Sequence, residues 1–330
     1  MKKIFFAFVA LAAFASCNKA DIVSVNKGEK IEFANPFVDN ATKATDKTYS
    51  GDKVLTAFNL YGTVTGTNGT INIYNGCSVT GSIGNAVWAC PVDQYWIKDA
   101  TYAFAAVADG TVATTDSNGM PATITCNTAV GNNNVQNDLI YATASATGAA
   151  SGNGKVNFSF SHLLSKAQFT VKSNTQGDYY YSVKNININN YVNGTYYAQA
   201  GTYTENDSTV EVLAGTWVAT GAKANTAFGN IEKVSKVDAN GKTCEFQRLL
   251  IPTTADFTVS CTIELWNANG DKDDVLLGTE NKTFTVSQDL VKGQAYDFNL
   301  SLSVGELIEF TVTQKPTWTP ETGGSNVTLQ

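Results

Sequence analysis

Apolar and polar residues alternate along most of the chain, in short runs separated by small or polar residues. The clearest runs are Val54–Tyr61, Thr170–Lys172, Tyr181–Val183, Ile186–Ile188, Thr209–Val212 and Phe257–Ser260. Successive side chains of a β-strand point to opposite faces of the sheet, so a period of two predicts strands with one buried face. The pattern therefore predicts many short strands and almost no helix.

Asn-Gly pairs predict the turns between these strands. Both residues tolerate the positive φ that a tight hairpin turn requires. Such pairs begin at Asn68, Asn75, Asn118, Asn193, Asn240 and Asn269. Short strands with turns at this spacing predict an all-β fold built from β-sandwiches rather than from βα units.

The length of the chain predicts two domains. At about 150 residues per domain, 330 residues suffice for two domains that each bury a core. Small residues dominate the stretch from Thr143 to Gly154, which is the best boundary. We therefore predict two β-sandwiches in tandem, the first over residues 44–155 and the second over residues 156–330.

The first 17 residues form a predicted signal peptide. Two lysines precede the apolar run Ile4–Phe14, which is too short to cross a bilayer as a helix. The segment Phe14-Ala15-Ser16-Cys17 resembles a bacterial lipobox, with Phe where Leu is usual. Cys17 then becomes the lipid-bearing first residue of the mature protein, tethered outside the cytoplasm. The alternative is an ordinary secretory signal that is cut near Ala15.

The charge of the chain argues against nucleic-acid binding. The sequence has 22 Lys and Arg residues against 29 Asp and Glu residues, a formal net charge of −7. Arg248 is the only arginine and the lysines are scattered, whereas binding to a phosphate backbone requires clustered cations. We therefore expect no nucleic-acid partner.

The single histidine, His162, is the first candidate for chemistry. It alternates with Phe158 and Phe160, so in a strand the three side chains share an apolar face. This spacing predicts a hydrogen-bonded core histidine rather than a catalytic base, since no nucleophile motif of the G-x-S-x-G type accompanies it. The sequence thus predicts no catalytic residue, no metal site and no cofactor, and the chain is not expected to be an enzyme.

A second candidate is a run of oxygen-bearing side chains. Its members are Asn267, Asn269, Asp271, Asp273 and Asp274. Oxygen ligands at alternate positions can suit Ca²⁺, but Lys272 and Gly278 stand where an EF-hand loop needs glycine and glutamate. A solvated hairpin tip between strands ending at Trp266 and starting at Val275 is therefore favoured.

Five cysteines remain once Cys17 is assigned to the lipid. They stand at positions 77, 90, 126, 244 and 261. Five cannot all pair within one chain, and although an exported protein can form disulfides, the sequence does not determine their connectivity. Small buried thiols are the default prediction, and the spacings match no zinc pattern.

Aromatic residues leave a carbohydrate-binding alternative open. The candidates are Trp88, Trp96, Trp217, Trp266, Trp318 and Tyr179–Tyr181. Such side chains can stack on sugars, but they more often fill the cores of sandwiches and pack across strands.

The two ends of the chain carry similar apolar patterns. Near the N-terminus the residues Val23, Val25, Ile31 and Phe33 have the same parity, and near the C-terminus Ile308, Phe310 and Val312 share one face of a predicted strand. Both ends contain the tripeptide Ile-Glu-Phe. Two segments that compete for one groove are expected to look alike in this way.

Several segments, in this order, resemble the fimbrillin family, the subunits of protease-assembled pili. They are the lipobox-like Cys17, Tyr95-Trp96, Tyr102–Ala106, Asp138–Ala142, Phe158–Lys166, and Trp318 followed by a Gly-rich turn and Val327–Leu329. Together these segments span most of the chain.

The resemblance implies a fold and a route of assembly. Fimbrillins have two transthyretin-like β-sandwiches and are exported as lipoproteins, and a trypsin-like protease then removes their N-terminal strand. In this chain residues 18–43 would be removed by a cut at Lys43–Ala44, with lysine where the family commonly has arginine. The vacated groove would accept a donor strand, drawn from residues 304–330, of the neighbouring subunit.

The resemblance also implies the partners and the location. The expected partners are other pilus subunits, a processing protease, the outer membrane through the lipid anchor, and a host glycan or protein receptor for cell adhesion. The expected location is the outer membrane and the cell-surface fimbrium. The alternative is a surface lipoprotein that binds glycans and does not polymerise.

Overall fold

The protein is built from β-strands, as the alternation predicted. A computed structural model describes residues 29–38, 45–46, 53–82, 88–131, 136–149, 153–175, 177–205, 207–238, 240–268, 273–303 and 308–315. Within these ranges there is no α-helix, and hence none that is long and apolar enough to cross a membrane. The all-β fold class is therefore confirmed.

Among the described residues, twelve strands come from the first half of the chain. They are β1 (Glu32–Phe33), β2 (Phe37–Val38), β3 (Thr45–Asp46), β4 (Lys53–Val54), β5 (Ala57–Gly66), β6 (Gly69–Thr80), β7 (Thr101–Ala108), β8 (Thr111–Thr115), β9 (Pro121–Asn127), β10 (Ile140–Thr147), β11 (Lys155–Val156) and β12 (Ser159–His162). Six of them form a sheet in the order β2-β12-β10-β7-β5-β6, while β1 pairs with β11 and β3 with β4.

The described part of the second half contributes eleven strands. They are β13 (Ser165–Ser173), β14 (Tyr179–Tyr197), β15 (Gly201–Glu205), β16 (Ser208–Val212), β17 (Thr216–Val234), β18 (Lys242–Thr243), β19 (Arg248–Leu250), β20 (Phe257–Asn267), β21 (Val275–Val286), β22 (Ala295–Leu302) and β23 (Glu309–Lys315). One sheet has the order β18-β13-β22-β23, and the other has the order β21-β20-β14-β9-β8.

The central strands of the first sheet are buried on both faces. In β5, Leu60 packs into an aromatic-rich core of the first half, whereas its neighbour Tyr61 packs into a second core. In β7, Phe104 packs into the first of these cores and Ala105 packs into the second. Strict alternation thus sends successive side chains into different cores, because opposite faces of a strand meet different partners.

The two halves of the chain share part of their structure. The β8–β9 hairpin pairs with β14, from Asn193 opposite Asn127 to Tyr197 opposite Thr123. The second core likewise draws residues from both halves, while a third core belongs to the second half. The predicted boundary stretch from Thr143 lies partly in β10, and β11 and β12 pair with strands of the first half. The division into two domains stays a prediction.

The Asn-Gly pairs are turns at some positions only. Those at Asn68, Asn118 and Asn240 lie in turns, as predicted. The predictions at Asn75 and Asn193 are wrong, since these residues lie within β6 and β14. At the second of these, a Cβ on Gly194 would lie 2.8 Å from Ile251 and 3.0 Å from the Trp217 ring, so close side-chain packing explains the glycine. Asn269 lies outside the described residues.

Candidate functional site

The candidate site is the groove that holds the N-terminal segment, residues 29–38. Of the predicted N-terminal positions, Ile31 and Phe33 lie in this segment. Cys17, Val23, Val25, Lys43 and Ala44 lie outside the described residues, as do Trp318 and Val327–Leu329 near the C-terminus.

Backbone hydrogen bonds hold the N-terminal segment on both sides. On one side β1 runs parallel to β11 and β2 runs parallel to β12, and the amide of Ala34 donates to the carbonyl of Val156 at 2.9 Å. On the other side the amide of Ile31 donates to the carbonyl of Gln94 at 2.8 Å. The segment therefore lies between two stretches of chain as an inserted strand, with its backbone groups paired.

Two side chains of the segment close the core of the first half. Ile31 and Phe33 are each 2% exposed. The Phe33 ring stacks on Phe158 at 6.2 Å and meets Tyr74 edge-on at 6.0 Å. Burial raises the pKa of the Tyr74 hydroxyl well above its usual value, so the Tyr74 side chain beside Phe33 stays uncharged. Full burial of one such apolar side chain contributes about 1.5–3 kcal/mol.

One wall of the groove is the stretch from Trp88 to Trp96. The indole Nε1 of Trp88 donates to Oδ1 of Asn35 at 3.1 Å, and the Trp88 ring stacks on Phe58 at 5.6 Å. Trp88 and Trp96 are almost completely buried, so these two candidate sugar-binding residues belong to the core.

A disulfide ties this wall to the sheet. Cys77 of β6 and Cys90 are bonded to each other, so the prediction of buried thiols is wrong for this pair. The prediction holds for Cys126, Cys244 and Cys261, which are buried and form no disulfide within the part of the chain that the structure describes. Burial raises the pKa of the Cys244 thiol to about 12 and that of Cys261 to about 11, so both are poor nucleophiles.

Removing the disulfide should loosen the groove. For the Cys77→Ser/Cys90→Ser variant we expect the free energy of unfolding to fall by about 2–3 kcal/mol, because the bond closes a loop with a sequence separation of 13 and restricts the unfolded chain. Urea unfolding of both proteins measures the change. Reductant should destabilise the wild type and leave the variant unaffected. Equal stability of the wild type and the variant in the absence of reductant would contradict the bond.

The predicted donor strand, β23, lies at the edge of its own sheet. It pairs antiparallel with β22, with Phe298 opposite Val312, and the Phe310 ring stacks on Phe284 at 4.5 Å. Ile308, Phe310 and Val312 are only partly buried against the core of the second half. The Ile-Glu-Phe tripeptides of both ends thus turn Ile and Phe inward and leave Glu32 and Glu309 exposed.

His162 has the structural role that its spacing predicted. It is 5% exposed, and its Nδ1 lies 2.8 Å from Oδ2 of Asp138, which is also buried. A buried imidazole that lies beside a carboxylate is a paired core residue.

The acidic run connects two strands that pair with each other, as expected for the favoured hairpin. Strands β20 and β21 pair up to Asn267 opposite Val275. Asp274 accepts a hydrogen bond from the Tyr180 hydroxyl at 2.6 Å and pairs with Lys233 at 3.0 Å. Asn269 and Asp271 lie outside the described residues.

Comparison with known proteins gives two matches to family profiles. A profile described as fimbrillin-like matches residues 42–316. A second profile, for a prokaryotic membrane lipoprotein lipid attachment site, matches residues 1–18. No curated protein matches the chain.

Solved structures share the fold. The crystal structure of a fimbrial protein from Bacteroides vulgatus is similar with a TM-score of 0.60 at 18% identity, covering 88% of this chain and 99% of that one. A candidate cell adhesion protein from Bacteroides uniformis is similar with a TM-score of 0.51, also at 18% identity, with the same coverage of both chains.

Proposed function

Because the chain belongs to the fimbrillin-like family, we propose that it is a pilus subunit that assembles by donor-strand exchange and supports cell adhesion. Its match to a lipoprotein attachment site supports export as a lipoprotein carrying lipid on Cys17. The outer membrane is the proposed site of anchoring. A protease of trypsin-like specificity is the proposed processing partner, acting at Lys43–Ala44.

The N-terminal segment is the observation that carries this proposal. Once residues 18–43 leave, β11 and β12 each lose a parallel partner, and the space of Ile31 and Phe33 becomes empty. An unpaired strand edge beside an apolar slot attracts a new strand, since that strand satisfies the backbone groups and refills the core.

β23 has the properties of a replacement strand. It has 7 residues, the same length as the stretch from Glu32 to Val38, and together with Ile308 directly before it the strand repeats the Ile-Glu-Phe pattern. Phe310 is half-buried in its own sheet, whereas Phe33 is 2% exposed in the groove. A strand that leaves partial burial for full burial gains free energy, so exchange into a neighbour is favourable.

This exchange builds a filament rather than a closed pair. The donor lies in the second half of one subunit and the acceptor groove in the first half of the next. Such head-to-tail contacts use two different surfaces and do not close on themselves, so they propagate. The proposed partners are therefore other pilus subunits, with a host glycan or protein as the receptor for adhesion.

Loss of the donor segment tests the proposal. We expect the protein lacking residues 304–330 to be absent from filaments, because no strand remains to fill a neighbour's groove. Phe310→Ala should reduce incorporation as well, with Thr311→Ala on the exposed face of β23 as its matched control. Immunogold labelling of filaments measures incorporation, and thermal unfolding checks that each variant is folded. Normal entry of the deleted protein into filaments would refute the assignment of the donor.

The alternative function is a glycan-binding lipoprotein that does not polymerise. Two of its candidate sugar-binding residues no longer support it. Trp88 and Trp96 are buried in the core and cannot meet a sugar. Trp217 and Trp266 remain partly exposed, so glycan binding by itself stays compatible with either function.

A further inference from the structure

A cavity of about 420 Å³ opens in the second half of the chain. It is lined by residues of β14, of β17 and the turn before it, of the loop before β20 and of the loop before β22. These residues are Tyr191, Gly215, Thr216, Trp217, Ala219, Pro252–Ala255, Leu290, Val291 and Lys292. None of them belongs to the N-terminal groove or to β23. The volume is within the range of about 300–1,000 Å³ that small-ligand sites occupy.

The indole of Trp217 forms a fixed aromatic wall of the cavity. Its Nε1 donates to the carbonyl of Leu163 at 2.6 Å, and its ring lies 5.7 Å from the ring of Tyr196. Gly194 provides the space for this packing, since a Cβ there would come within 3.0 Å of the indole. The ring is held before any ligand arrives, which lowers the entropy cost of binding.

Lys292 supplies a positively charged group beside this wall. Its Nζ donates to the carbonyl of Gly215 at 2.8 Å and to the hydroxyl of Tyr196 at 3.3 Å, which fixes its position. An ammonium group has three donors, so one hydrogen remains beyond these two bonds. No lining residue carries a carboxylate, although the chain has a net charge of −7.

Threonines complete the polar side of the cavity. Thr216, Thr253 and Thr254 lie in its lining, and Thr254 is exposed. A second aromatic residue, Tyr191, lines the cavity with Lys223 over its ring at 5.2 Å. Aromatic faces beside hydroxyl and ammonium groups suit a ligand that has both C–H faces and many hydroxyls.

We propose that this cavity binds an acidic sugar residue of a glycan, with a ring face on Trp217 and a carboxylate toward Lys292. A purely apolar ligand would cover the remaining ammonium hydrogen of Lys292 and the hydroxyl of Thr254 without pairing them, which is costly. The inference deepens the adhesion part of the proposed function by naming a ligand class, and it does not depend on strand exchange.

Titration with defined sugars tests the site. The unlipidated protein, residues 18–330, is titrated calorimetrically with the methyl glycosides of N-acetylneuraminic acid, glucuronic acid and glucose. We expect binding of at least one acidic glycoside and weaker binding of glucose. Trp217→Ala should weaken binding by about tenfold, since an aromatic contact contributes up to about 1.5 kcal/mol. Trp266→Ala is the matched control, because Trp266 is partly exposed but does not line the cavity.

A rim variant keeps the test decisive if Trp217→Ala does not fold. Thr254→Glu places a negative charge at an exposed position of the lining and should weaken binding of acidic sugars at least tenfold without changing thermal stability. Lys292→Gln should remove the preference for acidic over neutral sugars. Absence of binding to all three glycosides, or unchanged binding by Thr254→Glu, would overturn the proposal. Filament formation, measured separately, reports on strand exchange alone.

Discussion

Cleavage after Lys43 is expected to convert the unlipidated protein, residues 18–330, from a monomer into concentration-dependent oligomers. After the cut only noncovalent contacts hold the N-terminal segment, so the donor strand of another molecule can displace it. Treatment with a lysine- or arginine-specific protease should yield a body that begins at Ala44. Mass spectrometry identifies the cut, and light scattering and electron microscopy follow assembly.

Two variants make this experiment specific. Lys43→Gln should block the cut at this bond and leave the protein monomeric, whereas Lys43→Arg should be cut and assemble like the wild type. A clean cut with no oligomers would exclude self-polymerisation and indicate a tip or accessory subunit. Resistance at Lys43 with a stable monomer would favour an anchored subunit or the glycan-binding lipoprotein.

Phe33→Ala is expected to lower the free energy of unfolding of the uncut protein by about 3–5 kcal/mol, the usual cost of removing a buried phenylalanine ring. Phe33 is 2% exposed and contacts two further aromatic rings, so its loss leaves a cavity in the first core. Urea unfolding of the protein with residues 18–330 measures the change.

Glu32→Ala is the matched control for this substitution. Glu32 is the other residue of β1 and is exposed, with an ion pair to Lys155 at 3.7 Å that contributes at most about 1 kcal/mol. In the cut protein, Phe33→Ala should also speed exchange, because the segment to be displaced binds more weakly. If the two variants were equally stable, the N-terminal segment would not complete the core.

The fold class could be predicted because the alternation of apolar and polar residues in each strand follows which of its two faces is buried. In β20, alternate burial from Phe257 to Ile263 reproduces the period of two along the sequence. The same logic placed His162, Phe158 and Phe160 on the buried side. The alternation also predicted that Ile31 and Phe33 share one face near the N-terminus. It predicted the same for Ile308, Phe310 and Val312 near the C-terminus.

Features that depend on contacts between distant segments could not be read in this way. The bond between Cys77 and Cys90 requires strand β6 to meet the stretch after Trp88, which spacing alone does not determine. The Asn193-Gly194 pair has the local chemistry of a turn, but Trp217 packs against it across the sheet. Trp217 could be named as a candidate from its residue type, but the cavity beside it could not be predicted, since its lining comes from four separate stretches of chain.

The pairing of the β8–β9 hairpin with β14 has a mechanical consequence for the proposed filament. Tension between neighbouring subunits would enter through the groove of the first half and leave through the donor of the second. Between these points the load would cross a shared core and a ladder of paired strands instead of a flexible tether. Strands loaded along their length share the force among many hydrogen bonds at once, so each subunit should transmit shear from flowing liquid without stretching.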